Sequence, residues 1–298
     1  MEILSNYKLN VYELMEKKYW IWFSLINDFG NVKKHKLLEI YKTPEKIFYL
    51  KNHEKLKQFG ENVVSGISNK KYKEQIYKII DFMGNNGIGI VTIEDEYFPK
   101  MLREIYDCPI SLFVKGNMEL LNKENKIAII GCREFSEYGK KCALYFSSNL
   151  AKKDVTIVSG LARGIDSFSH YGTIKVDGTT IAVLGNGLDM IYPKENQKLA
   201  EAIIEKNGLL ISEFPIGTIP EKKNFPARNR IISGISKGVI VIEAKRKSGT
   251  LLTVDFALDQ GKDIYAVPGN INSINSVGTN DLIKQGAKLV TNFEEIDI

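Results

Sequence analysis

Three short stretches carry residues able to hold an anion. Gly131-Cys132-Arg133 follows the apolar run "KIAII", and Gly160-Leu161-Ala162-Arg163-Gly164 follows "VTIVS". Ser248-Gly249-Thr250 opens the helical stretch "LLTVDFALDQG". Glycine lets a backbone approach a ligand closely. A helix start presents unpaired N–H groups to anions, and arginine supplies a forked, permanently charged donor suited to phosphate. A fourth stretch, "EKKNFPARNR", places Lys222, Lys223, Phe225, Arg228, Asn229 and Arg230 within nine residues. Together these predict a site for a phosphate-bearing ligand.

Other chemistries find little footing. "GCREFSEYG" is not GxGxxG, and no acid ends the second run to hold a ribose, since Asp154 precedes it. GxxxxGK[ST], HxxEH and GxSxG are absent. Cys108, Cys132 and Cys142 form no CxxC pair, which argues against a zinc site or a disulfide framework and fits a reducing cytoplasm. His170 follows Asp166 by one helical turn, but no nucleophile pattern lies near, and Asp166 reads as a cap for its helix. Neither a metal nor a cofactor is expected. Among the aromatics near the loops, Phe168 and Tyr171 read as helix residues packing on a sheet, while Phe225, between lysines and arginines, reads as a stacking ring for a base.

The elements that must position these loops follow from apolar patterning. "KIAII" (126–130), "VTIVS" (155–159), "TIAVL" (180–184), "GLLIS" (208–212), "GVIVIE" (238–243) and "DIYAV" (263–267) are continuous apolar runs separated by helix-like stretches. Such runs suit strands covered on both faces, hence a doubly wound, mostly parallel α/β sheet of Rossmann-like type. Ligands of such sheets bind beyond the carboxyl ends of the strands, where the glycine loops fall. Residues 1–86 read instead as a small all-α domain. "VYELMEKKYWIWFSLINDFG" has helical spacing, "TPEKIFYL" has Thr43 as N-cap before Pro44, and "KKYKEQIYKIIDFM" is amphipathic. "GNNG" (84–87) breaks the pattern, so the α/β domain is expected over 87–298.

Charge is distributed unevenly. The net charge is +5, and residues 1–86 hold fifteen lysines against ten acids, so the excess lies there. In the balanced remainder, residues 222–247 hold eight basic residues against Glu243 alone, a localised anion site rather than general stickiness. The opening "MEILSNYKLN" has no secretory pattern, and no apolar run approaches the ~18 residues that span a bilayer. A cytoplasmic location is expected.

These motifs together resemble the DNA-processing protein A (DprA or Smf) family. The resemblance rests on "IAIIGCR" with "YGKKCA", "IVSGLARGIDSFSH", "TIAVLGNGLD" with "YP", "GLLISEFPIG", "FPARNRIISGIS", "VIVIEAKRKSGTLLT" and "VPGNINS...GTNDLIKQGA". It implies a Rossmann-like domain that binds single-stranded DNA. It further implies a homodimeric, non-enzymatic mediator that loads the recombinase RecA and displaces single-strand binding protein during natural transformation. Carried over residue by residue, it implies DNA contacts at Arg133, at Ser159, Gly160 and Gly164, and at Lys222 (interchangeable with Lys223) and Phe225. The pattern of loops adds Gly131, Arg163, Arg228, Asn229, Arg230, Ser248, Gly249 and Thr250. The family usually has Ser or Thr where this chain has Cys132, a weaker donor. Many members carry a C-terminal winged helix, which is not expected after "FEEIDI". The front 86 residues resemble the family's helix-hairpin-helix-like domain only loosely. The competing reading is a nucleotide phosphoribohydrolase of the cytokinin-activating kind, a similar fold, but Thr253 stands where its catalytic Glu would be. A module sensing a small nucleotide is a third.

Overall fold

In the computed structural model, residues 11–298 are described. The first ten, read above as carrying no secretory pattern, lie outside the described residues. Nine strands form one sheet: β1 Gly89–Thr92, β2 Ser111–Gly116, β3 Lys126–Ile130, β4 Thr156–Ser159, β5 Thr180–Val183, β6 Leu209–Ser212, β7 Gly238–Val241, β8 Asp263–Ala266 and β9 Lys288–Leu289. The six apolar runs are β3 to β8, and all six lie parallel. β1 and β2 add an antiparallel edge beyond β6, and β9 is a two-residue parallel edge beside β8.

The spatial order is β1-β2-β6-β5-β4-β3-β7-β8-β9. The chain therefore winds outward from β3 to β6, then returns to lay β7 on the other side of β3. Helices leaving β3 and β7 go to opposite faces, which opens a crevice at their carboxyl ends.

The helices are α1 Val11–Glu16, α2 Lys18–Leu25, α3 Asn31–Tyr41, α4 Pro44–Phe48, α5 Glu61–Ser68, α6 Lys70–Asn85, α7 Lys100–Arg103, α8 Glu137–Lys152, α9 Ile165–Ile174, α10 Gln197–Glu205, α11 Asn224–Gly234, α12 Gly249–Asp259 and α13 Val277–Lys284. Strand alternation divides the core between them. Ala128, Ile130, Val158, Val239 and Val241 face one way, against Ile231 and Ile232 of α11 and Val254 of α12. Ile127, Ile129, Ile157 and Ile240 face the other, against Phe146 of α8 and Ile165 of α9.

The front helices α1 to α6 share a core with the sheet. Trp22, Phe23 and Ile80 belong to the same buried cluster as Phe113, Ala182 and Leu210, which point from β2, β5 and β6. α6 runs to Asn85, a left-handed Gly87 turns the chain, and β1 begins two residues later. The Thr43 cap forms as its sequence suggests, its side chain accepting from the Lys46 N–H at 3.3 Å.

Candidate nucleic-acid interface

The first loop leaves β3 and enters α8 through Ser136, whose side chain caps the Gly139 N–H at 3.0 Å. Glu243, buried just beyond β7, anchors this turn. Its carboxylate accepts from the Ser136 N–H at 3.0 Å, from the Ser136 hydroxyl, and from Asn275 Nδ2 at 3.4 Å. A carboxylate at a helix start satisfies orphan amides and favours the dipole. Arg133 is left exposed on the outside of the turn, its Cζ 5.8 Å from the centre of the Phe225 ring.

The second loop is held from below. The Gly160 N–H donates to Asp166 Oδ2 at 3.1 Å, and Arg228 Nη1 donates to the Gly160 carbonyl at 2.6 Å and to that of Val183. A side chain at Gly160 would overlap the Arg228 guanidinium. This glycine therefore admits an arginine rather than a ligand. Gly164, at φ +77°, turns against the carbonyls of Cys132 and Arg133, so it packs one loop on the other. Ser159 is buried, and its hydroxyl donates back to the Ile129 carbonyl at 2.7 Å.

Arg228 is 4% exposed. Burial lowers its pKa to about 10 despite the neighbouring Asp166 carboxylate. Burial likewise raises Asp166, against the pull of Arg228 and of the loop amides. Asp166 caps the loop before its helix and not the helix itself, a correction to the sequence reading. Nor does it touch His170. The His170 Nδ1 lies 2.8 Å from Thr180 Oγ1, whose proton goes to the Ile157 carbonyl, so Nδ1 carries the ring proton. Burial drives this imidazole down to about 3.

The third wall is α12. Ser248 is its N-cap but makes no side-chain capping bond, and its buried Oγ has no partner. Among the described residues, neither the Gly249 nor the Thr250 N–H has a backbone acceptor, the first bond of the helix being Leu251 N–H to Ser248 O. The fourth wall is α11, which begins at Asn224. Phe225 and Pro226 thus lie in a first helical turn, not in the loop suggested by the proline; Pro is tolerated there because its missing N–H would be unpaired anyway.

These walls enclose an open cavity of about 620 Å³ at the switch between β3 and β7. Gly131, Arg133, Lys222, Phe225, Arg228 and Asn229 line it, as do Ser248, Gly249 and Thr250. No carboxylate among the described residues pairs with Arg133 or Lys222. The remaining residues named from the sequence lie elsewhere. Arg163 forms a two-pronged pair with Glu195, at 2.5 and 2.7 Å, outside the cavity wall. Lys223 pairs with Glu221 at 2.7 Å. Arg230 is buried between Asp107 and Glu213, both at 2.6 Å, and those carboxylates raise its pKa. Its guanidinium is thereby withdrawn from the cavity. Ser159, Gly160 and Gly164 support the floor rather than line it.

Among the lining residues that sequence reasoning did not name as contacts are Tyr192, Lys245 and Glu134. Tyr192 lies 5.6 Å from Phe225, ring to ring, and is half-exposed. Lys245 and Glu134 pair across the wall. Lys245 stood out in the basic segment, and Glu134 is adjacent to Arg133, but nothing local joined them. Cys132 is buried, its thiol raised by burial. Phe135 lies edge-on to Phe168 at 4.7 Å, outside the cavity wall. Among the described residues no group of three His, Cys, Asp or Glu could hold a metal, and no helix is long and apolar enough to cross a membrane.

The family described as DNA recombination-mediator protein A matches residues 89–297. DNA processing protein DprA of Streptococcus pneumoniae is 40% identical over 273 residues, covering 87% of this chain and 96% of that protein. The Bacillus subtilis protein of the same name is 44% identical over 227 residues, 75% of this chain and 76% of the relative. Protein Smf of Escherichia coli is 46% identical over 207 residues, 70% of this chain; the match spans only 55% of that relative's length. Among solved structures, S. pneumoniae DNA processing protein A aligns with a TM-score of 0.68 at 38% identity, over 91% of this chain and 99% of that one. DNA processing protein A of Helicobacter pylori, whose structure concerns its single-stranded DNA binding mode, aligns with a TM-score of 0.63 at 33% identity, over 69% and 92%. The chain belongs to the DNA recombination-mediator protein A family.

Proposed function

We propose that the cavity beyond β3 and β7 binds single-stranded DNA, and that the protein acts in recombination by bringing RecA onto the strand in place of single-strand binding protein. The observation that carries this reading is the pairing of unneutralised cations with an aromatic ring. Arg133 and Lys222 share one open cavity with Phe225 and with the free amides of α12. Phosphates need the cations and amides, and unpaired bases need the ring. Similarity to the H. pylori protein, which binds single strands, supports the same ligand. The protein works as a homodimer and performs no catalysis in this reading.

A phosphoribohydrolase is not favoured. Thr253 occupies the cavity wall where the resemblance to those enzymes would require a glutamate. Incubation with nucleoside monophosphates, read as released free base, tests that alternative directly. The proposed role is tested by electrophoretic shift of labelled single and double strands at two salt concentrations, with and without RecA. The expected result is salt-sensitive binding of the single strand and RecA filament growth that depends on this protein. Equal binding of mononucleotides and oligonucleotides would contradict it.

A further inference from the structure

Several basic residues around the rim pair with carboxylates outside the cavity wall, as Arg163 does with Glu195 and Lys223 with Glu221. Arg246 faces Asp281 at 3.7 Å in the same manner. Among the described residues, one ion pair has both members in the cavity wall: Lys245 Nζ and Glu134 Oε2. Glu134 is the residue after Arg133 in the first loop, and Lys245 lies four residues before α12. The pair therefore bridges the mouth between the two phosphate-binding elements.

The bridge is held at its base. Asn275 Nδ2 donates to the Glu134 carbonyl at 2.9 Å, fixing the backbone from which the carboxylate reaches. The side chain itself is mostly in water, 84% exposed, against 35% for Lys245. Each group shifts the other in the expected sense: Lys245 lowers the Glu134 carboxyl, and Glu134 raises the Lys245 ammonium. Exposed ion pairs are among the weakest contacts a folded protein makes. A phosphodiester carries the same single charge as a carboxylate, and in this cavity it would bring further contacts to Arg133 and the α12 amides.

We propose that Glu134 is a built-in competitor for the nucleic-acid phosphate. Its carboxylate occupies Lys245 in the unliganded protein and is displaced into solvent when a strand enters. The inference rests on the strand-binding reading above. It assigns Glu134 the role of lowering affinity, so that a strand engages Lys245 only when enough of its phosphates bind at once to outcompete the carboxylate. Short or isolated phosphates are disfavoured at that position relative to longer strands.

The test is a double-mutant cycle on single-strand affinity, using a fluorescent oligothymidylate at low salt and the full chain. The variants are Glu134→Gln, Lys245→Met and both together, each checked for an unchanged melting temperature. Glu134→Gln is expected to tighten binding about two- to fivefold, the upper part of the range for freeing one phosphate contact from an exposed ion pair. In the Lys245→Met background the same change is expected to yield less than about a twofold gain. An equal gain in both backgrounds would mean a general field effect and overturn the inference, as would a parent that binds while Glu134→Gln is unchanged. A parent that binds no strand at any salt would overturn the strand-binding reading itself.

Discussion

Arg133 leaves its guanidinium in solvent at the cavity wall, over the Phe225 ring, whereas Arg230 ends buried between Asp107 and Glu213. Two arginines that the sequence offered alike as anion contacts thus have opposite consequences. Arg133→Ala should weaken binding of every single strand by a similar factor, because phosphate contacts carry no sequence information. Its melting temperature should hold, since exposed substitutions are worth within ~0.5 kcal/mol. Arg230→Ala should instead cost ~3 kcal/mol of stability, the low end for breaking a buried pair because Asp107 stays half-exposed. Thermal melts and fluorescence anisotropy on the two variants separate the roles. Phe225 is read as a base platform, worth about 1–3 kcal/mol per stacked base. Because the ring also seats Arg133, the Phe225→Ala and Arg133→Ala losses should be less than additive in the double variant. Additive losses in a binding titration would mean that ring and guanidinium act independently.

At the scale of elements, the rim is built by clamps between neighbours. Glu243 holds the start of α8, and Gly139 leaves room for its carboxylate: a Cβ there would overlap Glu243 Oε2. Gly139→Ala should therefore push the Arg133 turn away from β7, lowering both melting temperature and single-strand affinity, whereas alanine at open Gly249 should spare the melting temperature. Differential scanning fluorimetry with a binding titration checks this. The α9 face supplies a pH dependence. The unfolded chain protonates His170 near 6.5, but the folded chain does not until about 3, so the unfolded state binds more protons between those values. Stability should fall with falling pH across that window, by up to about 1.4 kcal/mol per unit. Asp166, raised by burial, acts in the opposite sense, so melting curves of the parent against His170→Asn from pH 7 to 4 isolate the histidine: the variant's profile should be the flatter.

Across the whole molecule, the sheet was legible because β3 to β8 are buried on both faces and so read as unbroken apolar runs. β9 escaped notice because it is two exposed residues, whereas β1 and β2 are buried apolar strands that form an antiparallel pair outside the strand–helix alternation by which the six parallel runs were read. The shared core of the front helices and the sheet is a long-range fact: nothing near Trp22 in sequence indicates Phe113 or Leu210. Within the site, residue types at the strand ends located the cavity, but local sequence could not tell a lining arginine from a clamping one. Arg228 and Arg230 are separated by one residue, and their burial depends on Asp166, Glu213 and Asp107, all distant in the chain. Glycine was misleading in the same manner, since Gly160 and Gly164 accommodate protein groups rather than ligand.

The charge distribution gives the most direct test. A cavity with Arg133, Lys222 and a displaceable Lys245 offers three or four phosphate contacts, each contributing about −0.7 to the log–log salt slope for single strands, for a total of roughly −2 to −3. The decisive measurement is the affinity for a fluorescent oligothymidylate across a range of salt concentrations, in the parent and in Arg133→Ala. The predicted result is a parent slope in that range and a variant slope shallower by ~0.7. A salt-independent affinity, or a variant slope equal to the parent's, would contradict a strand bound at this rim.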